Sequence, residues 1–301
     1  MTWQTAFVSV VVLALVEPAW AQQVVFKDIK ARFSKNQLDR VLVDKDAELV
    51  LDDGARILVV KTERNPLKVS YDDIRKVVFD RSTHMRGGAM GSMLGVAGAA
   101  LEAKHVEDYW CYLEYAGAGG AIQPYMLEVA KESSPRVIEK MRALFGDKVV
   151  VAEFEETAVA IDKDTLKDLQ SKHDLEVDEK SHPTPELKPD KALIVVVCPP
   201  LAARHAGKGN QFKVHANDRV EVVNKMGTYS FAYLDPGEYR LVSQSENASG
   251  FTMTLEAGKD YYFLQDTFMG MMKAATRLSR HTKELVMHEL GGSHYAHWTR
   301  K

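Results

Sequence analysis

The sequence predicts a mainly β protein of two domains, an N-terminal β-barrel closed by a helix and a C-terminal antiparallel β-sandwich. Three observations carry that expectation. Short runs rich in Val, Leu and Ile, punctuated by Gly, Asp and Pro, recur through both halves of the 301-residue chain. Between them, residues 133–147 switch to a helical period. A charged stretch at 173–191 carries three prolines and has little to bury, which separates the two patterns. Hydrophobic residues make up 46% of the chain, enough for two cores of ordinary size.

The chain opens on what reads as a signal peptide, residues 1–21. The apolar run Ala6–Val16 has the length of an h-region and falls short of the roughly 20 residues that a membrane-spanning helix needs. Pro18 and the small-x-small pattern Ala19-Trp20-Ala21 place cleavage before Gln22. The n-region lacks Lys and Arg, so a buried N-terminal helix is the alternative. No Cys follows the cleavage site, so no lipid anchor is expected and the mature chain is read as periplasmic or secreted.

In the first domain, 22–161, strands are expected at 24–30, 40–44, 47–53, 55–61 and 75–80. Asp52-Asp53-Gly54 predicts a hairpin in which Gly54 supplies positive φ. EDYWCYLEY (107–115) and PYMLEVAK (124–131) form another pair, with Trp110 and Tyr112 on the face opposite Tyr109, Cys111, Leu113 and Tyr115. SSPRVIEKMRALFGD (133–147) has Pro135 in its first turn and Gly146 at its end. Val137, Ile138, Met141, Leu144 and Phe145 make one apolar stripe. This order, with SYDDIRKVVFD near its middle, resembles the pleckstrin-homology or GRAM-type barrel over residues 24–147. Phosphoinositide recognition is not carried over, because no basic pocket is identifiable.

Residues 148–161 read as one more strand, 162–173 as a short polar helix held by Leu166 and Leu169, and 173–191 as an extended linker. The second domain, 192–301, then shows strands at 192–198, 211–217, 219–224, 228–234, 238–244, 251–257 and 260–266. Asp235-Pro236-Gly237 fits a type II turn, Ala257-Gly258-Lys259 a further reversal, and a helix is expected from about Arg280 to Leu290. KALIVVVCPP, MGTYSFAYLDPGEYRL, LEAGKDYYFLQ and MGMMKAATRLSRHTKELVMHEL together resemble domain of unknown function family 2846, over about residues 191–290. The resemblance implies a small bacterial envelope protein without catalytic activity, often a lipoprotein. Cys198-Pro199 stands where that family commonly has Arg-Pro, and no lipidated cysteine opens the mature chain.

The search for chemistry starts at RGGAMGSMLGVAGAALEAKH (86–105), uncharged between Arg86 and Glu102. It satisfies neither G-x-x-x-x-G-K-[ST] nor G-x-G-x-x-G, so a phosphate loop is excluded. Met90, Met93, Leu94 and Val96 are candidate binding residues for a membrane surface, with Arg86 and Lys104 at the edges; internal packing is the plainer reading. Trp110 and Tyr112 are candidate stacking residues or ordinary strand packing. His281 and His288 could share a helical face near Glu284 and Glu289, which makes them weak metal candidates; no H-E-x-x-H is present and no metal is expected. His84 and His105 could meet across the neck of the glycine segment.

No G-x-S-x-G elbow occurs, and Asp72-Asp73 and Glu153, Glu155 and Glu156 read as solvated carboxylates. Cys111 and Cys198 lie in apolar runs and read as two buried free thiols, with one disulfide as the alternative. A formal charge of −3 offers no surplus for nucleic acid. The expected function is therefore a non-catalytic binding or structural module of the bacterial envelope. No cofactor is expected, and the partner is an envelope protein or glycan. A peripheral membrane-contact protein using 87–100 is the first alternative, and a metal-dependent hydrolase using the C-terminal histidines the second.

Overall fold

The computed structural model describes residues 23–34, 42–63, 66–86, 104–155, 157–158, 173–200, 210–217, 219–245, 248–269, 274–291 and 293–300. It is mainly β, built from three sheets and two α-helices among the described residues.

The N-terminal sheet contains β1 (Gln23–Ser34), β2 (Leu42–Asp52), β3 (Ile57–Lys61), β4 (Leu67–Ser70), β5 (Ile74–Arg86), β6 (Lys104–Ala116), β7 (Ile122–Val129) and β8 (Val149–Glu155). Its order is β4-β3-β2-β1-β7-β6-β5-β8. All neighbours are antiparallel except β5 and β8. β4 and β8 are its two edges, and no closed barrel forms among the described residues. The sheet folds instead around α1 (Ser134–Phe145), which starts with Pro135 in its first turn as the sequence predicts. Val137, Met141 and Phe145 of α1 share one core with Leu58 and Val60 of β3, Val69 of β4, Val77 and Phe79 of β5, and Cys111 and Leu113 of β6. Tyr71 locks the arrangement: its ring meets Phe145 edge-on at 5.2 Å and its hydroxyl donates to Asp53 Oδ1 at 3.1 Å. Lys140 of α1 reaches the same carboxylate at 2.6 Å.

Local chemistry departs from expectation at several points. The runs 40–44 and 47–53 belong to one strand, β2. In the β2–β3 turn Arg56, not Gly54, has positive φ (52°). Asp52 accepts from the Ala55 N–H at 2.9 Å and Asp72 holds the Arg56 guanidinium at 2.9 Å, which offsets the left-handed backbone.

The C-terminal half is a two-sheet sandwich. One sheet joins β10 (His173–Asp178), β11 (Ala192–Cys198), β14 (Thr228–Leu234), β17 (Asp260–Met269), β18 (Ala274–His281) and β19 (His294–Arg300), in the order β10-β19-β14-β11-β17-β18. The other joins β9 (Thr157–Ala158), β12 (Phe212–Ala216), β13 (Arg219–Asn224), β15 (Gly237–Gln244) and β16 (Ala248–Leu255), in the order β13-β12-β15-β16-β9. Ile194, Val196, Val214, Val222, Leu241, Phe251, Phe263 and Leu278 fill the space between them. The sandwich is not purely antiparallel, because β11 pairs parallel with β17 and β14 with β19. β17 falls where the sequence predicts a strand, at 260–266, whereas β19 lies beyond 266, where it predicts none.

The turn readings also change. Asp235-Pro236-Gly237 carries the chain from one sheet to the other, and Gly237 has φ 155°, far from a type II position. The linker expectation fails at its start, since 173–178 form β10 on β19. The expected helix begins later, as α2 (Lys283–Leu290), because Arg280 and His281 belong to β18 beside β17. The polar helix expected at 162–173 lies outside the described residues apart from His173.

Candidate functional site: the seam and its groove

Period-two alternation in β5, β6 and β7 gives the N-terminal sheet two apolar faces. One packs on α1. The other presents Trp110 and Met126, which join Leu193, Val195, Val197, Tyr262 and Leu264 of the six-stranded sheet and Leu285 and Val286 of α2 in one cluster. β11 thus buries all seven of its residues, even positions toward the sandwich and odd positions toward this seam. The two halves share a core.

At the centre of the seam is a buried polar chain. Asp80, the first charged position after Val77-Val78-Phe79 on β5, directs Oδ1 to His281 Nδ1 at 3.1 Å and accepts the Thr282 N–H on Oδ2 at 2.5 Å. His281 Nε2 meets Ser279 Oγ at 2.9 Å. Ser279 and His281 stand two apart on β18 and therefore on one face. Thr282 caps α2, so the carboxylate also sits at the positive end of that helix. Acid, imidazole and hydroxyl follow the order of a nucleophilic triad. All three are enclosed, however, at 2%, 3% and 1% exposure for Asp80, His281 and Ser279. Enclosed in this way, the chain of hydrogen bonds ties β5 to β18 and to the start of α2.

Where the seam reaches the surface it leaves a groove of about 350 Å³, lined by Tyr112, Glu114, Pro124, Lys283, Glu284, Met287 and His288. Lys76 of β5 closes one side through Glu284 at 2.6 Å. The Tyr112 hydroxyl donates to Glu114 at 3.2 Å, and its ring meets that of His288 edge-on at 6.3 Å. Burial, with the Glu114 and Glu284 carboxylates nearby, pushes the Tyr112 phenol well above its ordinary range. The groove thus offers a phenol, an imidazole, a thioether and paired charges.

The candidates from the sequence separate cleanly. Tyr112 lines the groove, whereas Trp110 is 8% exposed and packs inside the seam, so it is no stacking platform. Met90, Met93, Leu94 and Val96 lie outside the described residues. His281 and His288 do not share a helical face, because one ends a strand and the other lies on α2. Among the described residues no group of three or more His, Cys, Asp or Glu side chains is placed to hold a metal ion. The β5–β6 register sets His84 opposite Val106 and His105 opposite Met85, so the two histidines are not a cross-strand pair. Asp72 holds Arg56 and Glu153 holds Arg81 at 3.4 Å.

Both cysteines are free and buried, and burial pushes both thiols up, away from reactivity. Asp80 and Ser279 were not singled out in the sequence. The signal available was an Asp at the end of a continuous apolar run, in register with a buried face. No family model matches the chain, and no curated protein shows significant sequence similarity to it.

Proposed function

We propose that the chain is an exported, non-catalytic binding or structural module of a bacterial cell envelope, and that the seam groove is where it meets a partner protein or glycan. One observation carries this reading: the side chains with chemical potential are spent on holding the two halves together. Asp80, His281 and Ser279 latch the seam, Trp110 fills it, and both thiols are enclosed. The open groove beside them presents recognition chemistry. The signal-peptide pattern of residues 1–21 supports export, and the envelope role is what the resemblance of 191–290 to family 2846, read from the sequence, implies. The eight-stranded sheet folded around α1 supports the pleckstrin-homology-like reading of the N-terminal half at the level of a curved sheet plus helix.

The test is an esterase assay with p-nitrophenyl acetate on the purified chain and on its Ser279→Ala and His281→Ala variants. Equal background rates are expected. A rate that depends on Ser279 and His281 would overturn the non-catalytic reading.

A second reading is favoured by one feature. β5 and β6 remain paired out to Arg86 and Lys104, the two basic residues that flank the uncharged segment in the sequence. Contact of the uncharged 87–100 segment with an anionic membrane is the reading this supports. Sedimentation with anionic and neutral liposomes tests it, comparing residues 22–301 with a variant carrying a Gly-Ser turn in place of 87–100. Lipid-dependent pelleting of the intact chain alone supports membrane contact; pelleting of neither excludes it.

A further inference from the structure

The face of the six-stranded sheet turned away from the sandwich core is covered in two ways. Over β11 and β17 lie α2, Trp110 and Met126. Over β14 lies the chain that follows β10, residues 179–190, an extended strap with prolines at 183, 185 and 189. Beneath it Tyr229, Phe231 and Tyr233 alternate along β14 and Tyr295 joins them from β19. Tyr229 and Tyr295 are 5.5 Å apart, Phe231 and Tyr295 are stacked at 5.5 Å, and Phe231 and Tyr233 are edge-on at 6.2 Å.

The strap is held mainly by its backbone. The Tyr229 hydroxyl donates to the Pro183 carbonyl at 3.1 Å and the Tyr233 hydroxyl to the Glu186 carbonyl at 2.7 Å. Those acceptors are three residues apart, the repeat of a polyproline II strand. Lys188 Nζ lies 3.9 Å from the centre of the Tyr233 ring, and His182 stacks on His294 at 6.1 Å. Tyr229 is wholly covered. Aromatic rings that donate hydroxyls to carbonyls of a proline-bearing strand are a recurring way of recognising such peptides.

Both ends of the strap are anchored separately. Asp178 accepts the N–H groups of Lys180 and Ser181 at 2.9 Å, Lys191 pairs with Asp235 at 2.5 Å, and the Gly258 N–H donates to the Lys191 carbonyl at 2.8 Å. The middle can therefore leave the rings while its ends stay in place.

We propose that the strip Tyr229, Phe231, Tyr233 and Tyr295 is a docking site for extended, proline-bearing segments of a partner protein, occupied in this structure by the chain's own residues 182–188. The inference rests on the binding-module reading and names a partner class for it, at a surface apart from the seam groove. Tethering gives the strap an effective concentration of about millimolar order, so a partner must outcompete it or displace it.

The test uses the full chain and a labelled peptide of residues 180–190, read by fluorescence anisotropy. Replacing 182–188 by Gly and Ser of equal length is expected to raise affinity for the peptide at least tenfold over the unaltered chain. Adding Tyr229→Phe and Tyr233→Phe to that background is expected to remove the gain. The proposal is overturned if the replaced chain, folded by near-UV circular dichroism, binds no tighter than the unaltered one. It is equally overturned if a peptide with alanine in place of its prolines binds as well. Should the replacement disturb folding, Pro183→Ala with Pro185→Ala serves, with the same two outcomes. Esterase activity would defeat the non-catalytic reading and leave this peptide result untouched, so the two failures are distinguishable.

Discussion

At residue scale the informative side chains are polar ones in dry places. Asp80 accepts from two groups of the other half of the chain, and removing its carboxylate leaves an imidazole nitrogen and a backbone N–H without their acceptor. Asp80→Ala is expected to cost about 3 kcal/mol, read as a lowered urea midpoint. Asp80→Asn keeps an acceptor for the Thr282 N–H and is expected to cost less. The thiols give a pH prediction. Their folded-state pKa values are raised above the ordinary 9.0, so the folded chain keeps them protonated while the unfolded chain ionises. Stability is then complete below about pH 9 and falls as pH rises, by up to about 1.4 kcal/mol per thiol per pH unit. Comparing urea midpoints at pH 8 and pH 10 checks it: Cys111→Ala with Cys198→Ala should show the smaller drop. Neither thiol should react with a disulfide reagent until the chain is unfolded.

At the scale of elements, what could be read from the sequence depended on where each strand finds its partner. β11 and β14 carry their own signal in an apolar run or an alternation and coincide with the expected 192–198 and 228–234; β16, expected at 251–257, starts three residues earlier, at Ala248. α1 does as well, because its apolar stripe and its Pro and Gly ends are local. β10 was hidden. HDLEVD is mostly charged and looks like linker, yet Leu175 and Val177 alternate with exposed acids, as an edge strand needs once β19 lies beside it. β18 was hidden as well: no strand was expected there, and its last residues, Arg280 and His281, read as the start of the helix until β17 supplies their ladder.

The seam groove was legible only in Tyr112 and His288, named separately for stacking and for metal, since β6, β7 and α2 that bring its walls together are distant in the chain. The latch was invisible because Asp80 and His281 are separated by 201 positions. One glycine makes a strict element-level prediction. A Cβ on Gly250 would lie 2.3 Å from the Leu241 carbonyl oxygen and 2.9 Å from Val242 Cα, both backbone atoms of the paired strand. Gly250→Ala must push β15 and β16 apart, and is expected to lower the thermal midpoint by several degrees, on the order of 2 kcal/mol. Ser249→Ala serves as its neighbour control.

At the scale of the whole molecule, the two halves are not beads on a tether. Trp110 and Met126 belong to the core that α2 and the six-stranded sheet complete. Trp110 is the only tryptophan between residues 22 and 161, which makes it a clean reporter. A fragment of residues 22–161 is expected to fluoresce at longer wavelength than residues 22–301 carrying Trp298→Phe, because its tryptophan then faces water. Equal emission would mean that the seam contributes nothing to burying that ring. The full chain is also expected to unfold in one transition by fluorescence and by circular dichroism, as a shared core requires.

β8 ends at Glu155 and β9 begins at Thr157, so a strand of the N-terminal sheet passes almost directly into the far sheet of the sandwich. Mechanically this is a hinge without an arm. Rotation about that junction would have to drag Asp80 off His281 and slide the Trp110 ring across β11, so a slow swinging motion of one half against the other has nowhere to go. The docking proposal asks only for motion of a smaller part, the strap over β14 lifting from its rings.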